Sequence, residues 1–297
     1  MRLALIVNPH AGGGKTAREL AGVQETLREL GLEHHVEPTI DLEHARELAT
    51  AAAEAGETAV AFGGDGLIGA VADALRHSDG VLGVLPGGRG NDFARMLGIP
   101  PTPRAACEVL AHGEERRIDL GVVGEHAFIG IASCGFDSDA NRIANETRLV
   151  RGRLVYVYGL LRAIAGWKPA SFTVTLDGGE PRTLSGYTIA AANSRYYGGG
   201  MMLAPDATLQ DGMLDVVMIT QTPKLRFLAR APSVLTGAHV RLDNVEVLRA
   251  RTIQIAASRP FTLYADGDPI AELPATVSVL PAAVRTVVPR ETHPEPA

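Results

Sequence analysis

Cysteine is nearly absent. Cys107 and Cys134 are the only two in 297 residues, both among apolar neighbours. That count excludes a disulfide framework and reads as two reduced core thiols in a cytosolic protein. Lysine is almost as scarce: Lys15, Lys168 and Lys224 stand against abundant arginine and alanine, a bias of GC-rich codon usage that marks no binding surface. No block of like charges occurs and the net charge is -6, so nucleic acid is not an expected partner. No apolar run approaches the roughly 20 residues that a membrane-spanning helix needs. The amino terminus enters a strand pattern with a single Arg2 and no small-residue cleavage site, so a soluble cytoplasmic protein is expected. One further absence is local. In "NPHAGGGKT", Asn8 to Thr16, the first glycine of a Walker A loop is missing, because Pro9 holds its place.

What is present suffices for a large core. With 46% hydrophobic residues, the length favours two domains. The first third alternates short apolar strands with amphipathic helices. "RLALIV" precedes a helix leaving at Lys15, with Leu20, Val23, Leu27 and Leu30 on one stripe and Gly31 as its C-cap. "HHVEP" precedes a helix capped by Asp41, and "TAVAFG", "GLIGAVADALRH" and "VLGVLP" continue the alternation. This predicts an α/β domain with a parallel sheet covered on both faces.

From "RRIDLGVV" onward the texture becomes mostly strands, among them "FTVTLDG", "YTIAAAN", "LDVVMIT", "VEVLRARTIQIAA" and "FTLYADG", with helical stretches near Thr147–Ala165 and Lys224–Thr236. The predicted organisation is an α/β domain over 1–122, to which residues 283–290 return, and an antiparallel β-rich sandwich over 123–282. The last residues, "PRETHPEPA", read as a frayed tail.

Ligands of doubly wound sheets bind beyond the carboxyl ends of the strands. Three glycine-rich turns fall there: "NPHAGGGK", "GGDG" and "PGGRGND". Glycine lets a backbone approach a phosphate closely. An acid between glycines, Asp65, can hold a magnesium ion beside phosphates or cap the following helix. Asn91 or Asp92 can cap the helix beginning near Phe93. The distant "YADGDP" reads either as an Asp-Gly hairpin turn or as a metal-associated acid, Asp266, beside a base, Asp268.

These segments, with "GFDSDAN" and "LAPDATLQDGMLDVV", occur in an order and spacing that resembles the diacylglycerol kinase catalytic family, closest to its soluble bacterial lipid kinases. The likeness spans nearly the whole chain. It implies an ATP-binding domain similar to those of NAD kinases and phosphofructokinases, a β-rich lipid-binding domain, and an active cleft between them. Carried over, Asn8, Pro9, His10, Ala11 and Gly12, with Thr39, the run Gly64, Asp65, Gly66, Leu67, Ile68, Gly69 and Ala70, and Gly88, Arg89 and Asn91 would line the nucleotide. Asp65, aided by Asp266, would place the catalytic Mg2+, and Asp268 would be the general base. Asp211, the carbonyl of Met213 and Thr208 would match a structural magnesium site.

Three positions depart from the family pattern: Leu67 replaces a threonine, Arg89 falls where Gly-Thr is usual, and Asp268 replaces a glutamate. The resemblance implies ATP and Mg2+ as cofactors and a lipid bearing a free hydroxyl as partner. It places the protein at the inner face of the membrane, in transient contact with its surface. The basic and apolar stretch around Arg148–Lys168 is the candidate for that contact, and an exposed edge of the β-rich domain could pair two copies. Rival readings are an NAD kinase, which shares "GGDG", and a nucleotide- or lipid-binding regulator without catalysis.

Overall fold

The computed structural model describes residues 2–136, 138–139, 162–168 and 170–290. The chain divides into two compact units, one of Met1–Leu120 with Pro281–Ala297 and one of Gly121–Leu280.

In the first unit, β1 (Arg2–Val7) leads into α1 (Ala11–Glu29), β2 (Glu33–Pro38), α2 (Leu42–Glu54), β3 (Thr58–Gly63), α3 (Asp65–Leu75) and β4 (Val81–Pro86). The short α4 (Asp92–Met96), α5 (Pro103–His112) and β5 (Glu114–Val123) follow. Strands β2, β1, β3 and β4 lie side by side and all pair in parallel. Every residue of β3 is buried, because α1 packs with α5 and α2 with α3 over the sheet, and a strand covered on both faces must be apolar on both. The local signals act as read. Regular helix begins at Lys15, since Gly12, Gly13 and Gly14 are left-handed. Val23 and Leu27 are the buried centre of its stripe. Gly31, at φ 71°, ends it. The Asp41 side chain accepts the His44 amide at 2.8 Å.

The second unit is antiparallel. It contains β6 (His126–Phe128), β7 (Ile131–Gly135), β8 (Ala170–Leu176), β9 (Arg182–Ala192), the small β10 (Tyr196–Tyr197) and β11 (Met201–Met202), and β12 (Leu214–Thr220). After helix α6 (Lys224–Arg230) come β13 (Val245–Ala250), β14 (Thr252–Ala257), β15 (Thr262–Ala265), β16 (Asp268–Glu272) and β17 (Ala275–Val288). Strand β9 is its spine, pairing with β7, β8 and β12. Its two faces feed two cores: Ile189 and Ala191 join Phe172, Tyr187, Val216 and Leu263, while Ala190 and Ala192 pack with Leu203, Ala207 and Val217. That double coverage is why "IAAA", Ile189 to Ala192, is continuously apolar.

Two expectations need correction. "VEVLRARTIQIAA" is not one strand but two, β13 beside β12 and β14 between β8 and β17. The break lies at Arg251, where Asp177 accepts the amides of both Arg251 and Thr252 at 2.9 Å and turns the chain. The second helical stretch is α6 followed by a 3-10 turn over Ala231–Thr236, since Pro232 removes an amide that a continuing α-helix needs. The helix expected near Thr147–Ala165 falls outside the described residues up to 161; residues 162–166 are helical.

The chain passes between units along β5 and again along β17. Arg285 and Thr286, late in β17, pair in parallel with Val81 and Leu82 of β4 and complete that edge of the first unit's sheet.

Candidate active site

The strand order β2-β1-β3-β4 decides where the site lies. From β1 the chain moves to one side to form β2, then crosses back past β1 to form β3. Loops after β1 and β3 therefore diverge in opposite directions and open a crevice at the carboxyl ends, where open α/β sheets bind ligands. The expected residues follow these four adjacent strands: Thr39 after β2, Asn8–Gly12 after β1, Gly64–Ala70 after β3, and Gly88, Arg89 and Asn91 after β4.

The loops touch through glycine. A Cβ on Gly12 would come within 2.5 Å of the Gly87 carbonyl oxygen, and one on Gly88 within 2.6 Å of the Gly64 Cα. A Cβ on Gly87 would meet Thr16 Cγ2 at 2.2 Å. The sequence reading singled out neither Gly87 nor Thr16. Thr16 is fully buried and its hydroxyl donates to the Asn8 carbonyl, fastening α1 to the end of β1. Asn8 closes a tight turn, its side chain accepting the His10 amide at 3.0 Å, and Thr39 donates its amide to Val7 at 2.9 Å. Gly12, Gly13 and Gly14 follow with φ of 59°, 70° and 81°, and the Gly14 amide donates to the His10 carbonyl at 3.3 Å within the loop.

Gly12→Ala is therefore expected to combine a left-handed φ with a backbone collision, destabilising the unit by about 1–3 kcal/mol. It should also push the first loop from the third. Thermal unfolding with and without ATP checks both effects. Unchanged stability and unchanged ATP-induced stabilisation would reject the close approach.

Asp65 joins the second loop to the third. It opens α3, whose N-cap is Gly64, but its carboxylate accepts the Phe93 amide at 2.9 Å at the start of α4. Burial pushes its carboxyl pKa up, against the Phe93 and Asp92 amides that hold it down. A cap was one of the two sequence readings, but of the helix immediately following; the helix capped is the one after β4. Asn91 stands at the N-cap position of α4, as expected, but its side chain makes no capping hydrogen bond there. It sits at φ 52°, accepts the Gly88 amide at 2.8 Å and donates to the Gly88 carbonyl at 3.2 Å, clamping the third loop.

Of the stretch Gly64 to Ala70, the side chains of Leu67, Ile68 and Ala70 belong to the core, so this end of α3 can offer a ligand only backbone and Asp65. Leu67 lies against Gly63, so packing replaces the family's hydroxyl there. Arg89 is exposed and makes no hydrogen bond or ion pair among the described residues, as suits a guanidinium that receives a phosphate. Pro9 and Ala11 are half-buried and His10 exposed. The glycine loops, the start of α3 and Arg89 are the groups here that would hold a nucleoside triphosphate.

In the second unit, "YADGDP" forms the hairpin between β15 and β16. Asp266 and Gly267 occupy its two turn positions at φ 51° and 96°, a type I′ turn. The Asp266 carboxylate accepts the amides of Ile129 and Gly130 at 2.9 Å and of Ile131 at 3.1 Å. Asn193, also missed from sequence, holds the same loop through the Ile129 carbonyl at 3.0 Å. Asp266 thus pins the hairpin. Asp268, the first residue of β16, is exposed and makes no side-chain hydrogen bond or ion pair among the described residues.

The residues of the expected structural magnesium site, Thr208, Asp211 and Met213, lie just before β12. One Asp211 oxygen accepts the Met213 amide at 3.0 Å and the other pairs with the Arg249 guanidinium, so its charge is already met. The Thr208 hydroxyl accepts the Gln210 amide at 3.2 Å. Among the described residues no group of three or more His, Cys, Asp or Glu is placed to hold a metal.

Residues 2–123 match the family model "Diacylglycerol kinase catalytic domain", and residues 130–288 match "YegS C-terminal NAD kinase beta sandwich-like domain". The chain is 35% identical over 297 residues to a protein named diacylglycerol kinase from Mycobacterium tuberculosis, covering 97% of this chain and 96% of that one. A diacylglycerol kinase crystal structure from Bacillus anthracis superposes with a TM-score of 0.75 at 19% identity, covering 97% and 96% of the two chains. An NAD kinase of Archaeoglobus fulgidus, solved in complex with ATP, gives 0.53 at 14% identity over 97% and 93%. Both structures share the fold: a parallel α/β unit followed by an antiparallel β-rich one. By its sequence along both units, the chain belongs to the diacylglycerol kinase catalytic family, and is a kinase acting on an alcohol group.

Proposed function

We propose that the protein transfers the γ-phosphoryl group of magnesium-bound ATP to a hydroxyl of a lipid such as diacylglycerol. The observation that supports the reading is the close mutual contact of the Asn8–Gly14, Gly64–Gly66 and Gly87–Asn91 loops at the carboxyl ends of adjacent strands, with Asp65 linking the second to the third. Catalysis of this transfer is mostly positioning and charge neutralisation. The left-handed glycine amides and the start of α3 would cradle the phosphates, and Arg89 would take one in its fork. A magnesium ion held mainly by phosphate oxygens and water needs few protein ligands, and Asp65 would supply one; when bound, it offsets the charge that develops on the phosphates.

Asp268 would accept the proton of the lipid hydroxyl as the oxygen attacks the γ-phosphorus. The bond from that phosphorus to the β-phosphate bridging oxygen breaks, ADP leaves, and the proton passes from Asp268 to water. Asp266 serves as a positioning residue, because its carboxylate is committed to three backbone amides. With no helix among the described residues long and apolar enough to cross a membrane, the lipid would be met at a membrane surface.

The test is transfer of labelled phosphate from ATP to a total lipid extract of the source cells, run beside NAD as an alternative acceptor, with identification of the product. A labelled lipid is expected. Labelled NADP would favour the NAD kinase reading, and ATP binding without any transfer would favour a regulator.

A further inference from the structure

We propose that the segment Lys224–Arg241 of the second unit is a docking face for an anionic lipid bilayer. The proposal rests on the lipid-kinase reading for its purpose, though its evidence is separate.

Neither α6 nor the 3-10 turn after it buries a single residue completely, although together they carry Leu225, Phe227, Leu228, Val234 and Leu235. The inward members are accounted for. Phe227 stacks on Tyr187 with ring centroids 4.1 Å apart, and Leu228 packs on the same core. Val234 packs on the other core cluster. The outward members are not: Leu225 is 82% exposed and Leu235 60%. Single exposed leucines are ordinary. Two of them in one short segment, on elements anchored from beneath by neighbouring residues, leave apolar side chains standing clear of a fixed base.

Charge selects the occupant. From Val216 to Leu242 the sequence has no Asp or Glu, while Lys224, Arg226, Arg230 and Arg241 lie within it, in a chain whose net charge is -6. Asp243 offsets part of this through pairs with Arg226 at 3.2 Å and Arg230 at 2.6 Å. The Lys224 ammonium donates to the Ala165 carbonyl at 3.1 Å, so the segment adjoins exposed Arg162 and Lys168 at the end of the stretch that the sequence nominated for membrane contact. Apolar side chains rising among cations, on elements too short to span, match a headgroup layer of negative charge with hydrocarbon beneath it.

The test is co-flotation of the full chain, without ATP, with vesicles of phosphatidylcholine mixed with phosphatidylglycerol, against vesicles of phosphatidylcholine alone. Binding to the mixed vesicles is expected, weakening as salt rises. The Leu225→Ser, Leu235→Ser double variant should lose roughly tenfold or more of it, and Arg241→Gln roughly fivefold. All three side chains are at the surface, so thermal unfolding should be unchanged. Should the double variant fail to fold, Arg241→Gln decides.

Binding that ignores anionic lipid, or that the variants leave intact, overturns the proposal. So does a dimer in solution that the double variant makes monomeric, which would identify a second copy as the occupant. Phosphate transfer to a detergent-dispersed lipid reports on the kinase reading independently, and the double variant should retain it.

Discussion

Asp65→Asn is expected to reduce phosphate transfer roughly a hundredfold to a thousandfold while leaving the protein folded. A thousandfold loss corresponds to about 4 kcal/mol of barrier. The separation of effects follows from what Asp65 touches. Asparagine keeps an oxygen where the Phe93 amide at 2.9 Å is accepted, so the link between the second and third loops survives. What disappears is the negative charge that would face a phosphate-bound magnesium. Asp65→Ala is the informative comparison. It removes charge and acceptor together, leaves the first turn of α4 uncapped, and should cost about 1 kcal/mol of stability as well. Initial rates over a magnesium series, with thermal unfolding of each variant, check this. An Asp65→Asn enzyme with wild-type rate and wild-type magnesium dependence would remove Asp65 from the mechanism.

Asp268→Asn should be nearly as damaging to turnover, with an expected loss of about a hundredfold to ten-thousandfold, and should change stability by no more than about 0.5 kcal/mol. Its side chain is exposed and makes no hydrogen bond or ion pair among the described residues, so the fold does not depend on its charge. ATP affinity, read by calorimetry, should stay the same. Asp268→Glu supplies the family's residue and should keep activity, since the carboxylate returns on a side chain one methylene longer. Asp266, two residues away, should respond in the opposite sense: its loss strips the amides of Ile129, Gly130 and Ile131 of their acceptor and destabilises the unit. Full lipid phosphorylation by Asp268→Asn would exclude it as the base.

The contrast between these carboxylates shows where sequence reading reaches and where it stops. Strand and helix boundaries in the first unit were legible because they rest on local physics: apolar runs in β3 and β4, the Asp41 cap, the left-handed glycine at position 31. The clustering of the glycine turns also followed, since a doubly wound sheet collects its βα loops at one end. Partnership was not legible. Asp65 caps a helix beginning 27 residues later, and Asp266 reaches back to a loop more than 130 residues earlier, and neither spacing carries a periodic signal. Arg249 meets Asp211 only because β12 and β13 pair in one particular register. The long reading of β13 and β14 as one strand failed for a related reason. Both halves are good strand formers, and the break depends on Asp177 arriving from another part of the chain.

The last strand carries a consequence for biosynthesis. The outer edge of β4 is completed by Arg285 and Thr286, the latter with its hydroxyl on the Leu82 carbonyl at 3.1 Å. On the ribosome, Val81 and Leu82 must therefore wait about 200 residues of translation for that neighbour. Through that interval the nascent chain carries an open sheet edge, and release of a polypeptide truncated before residue 285 would leave it permanently uncovered.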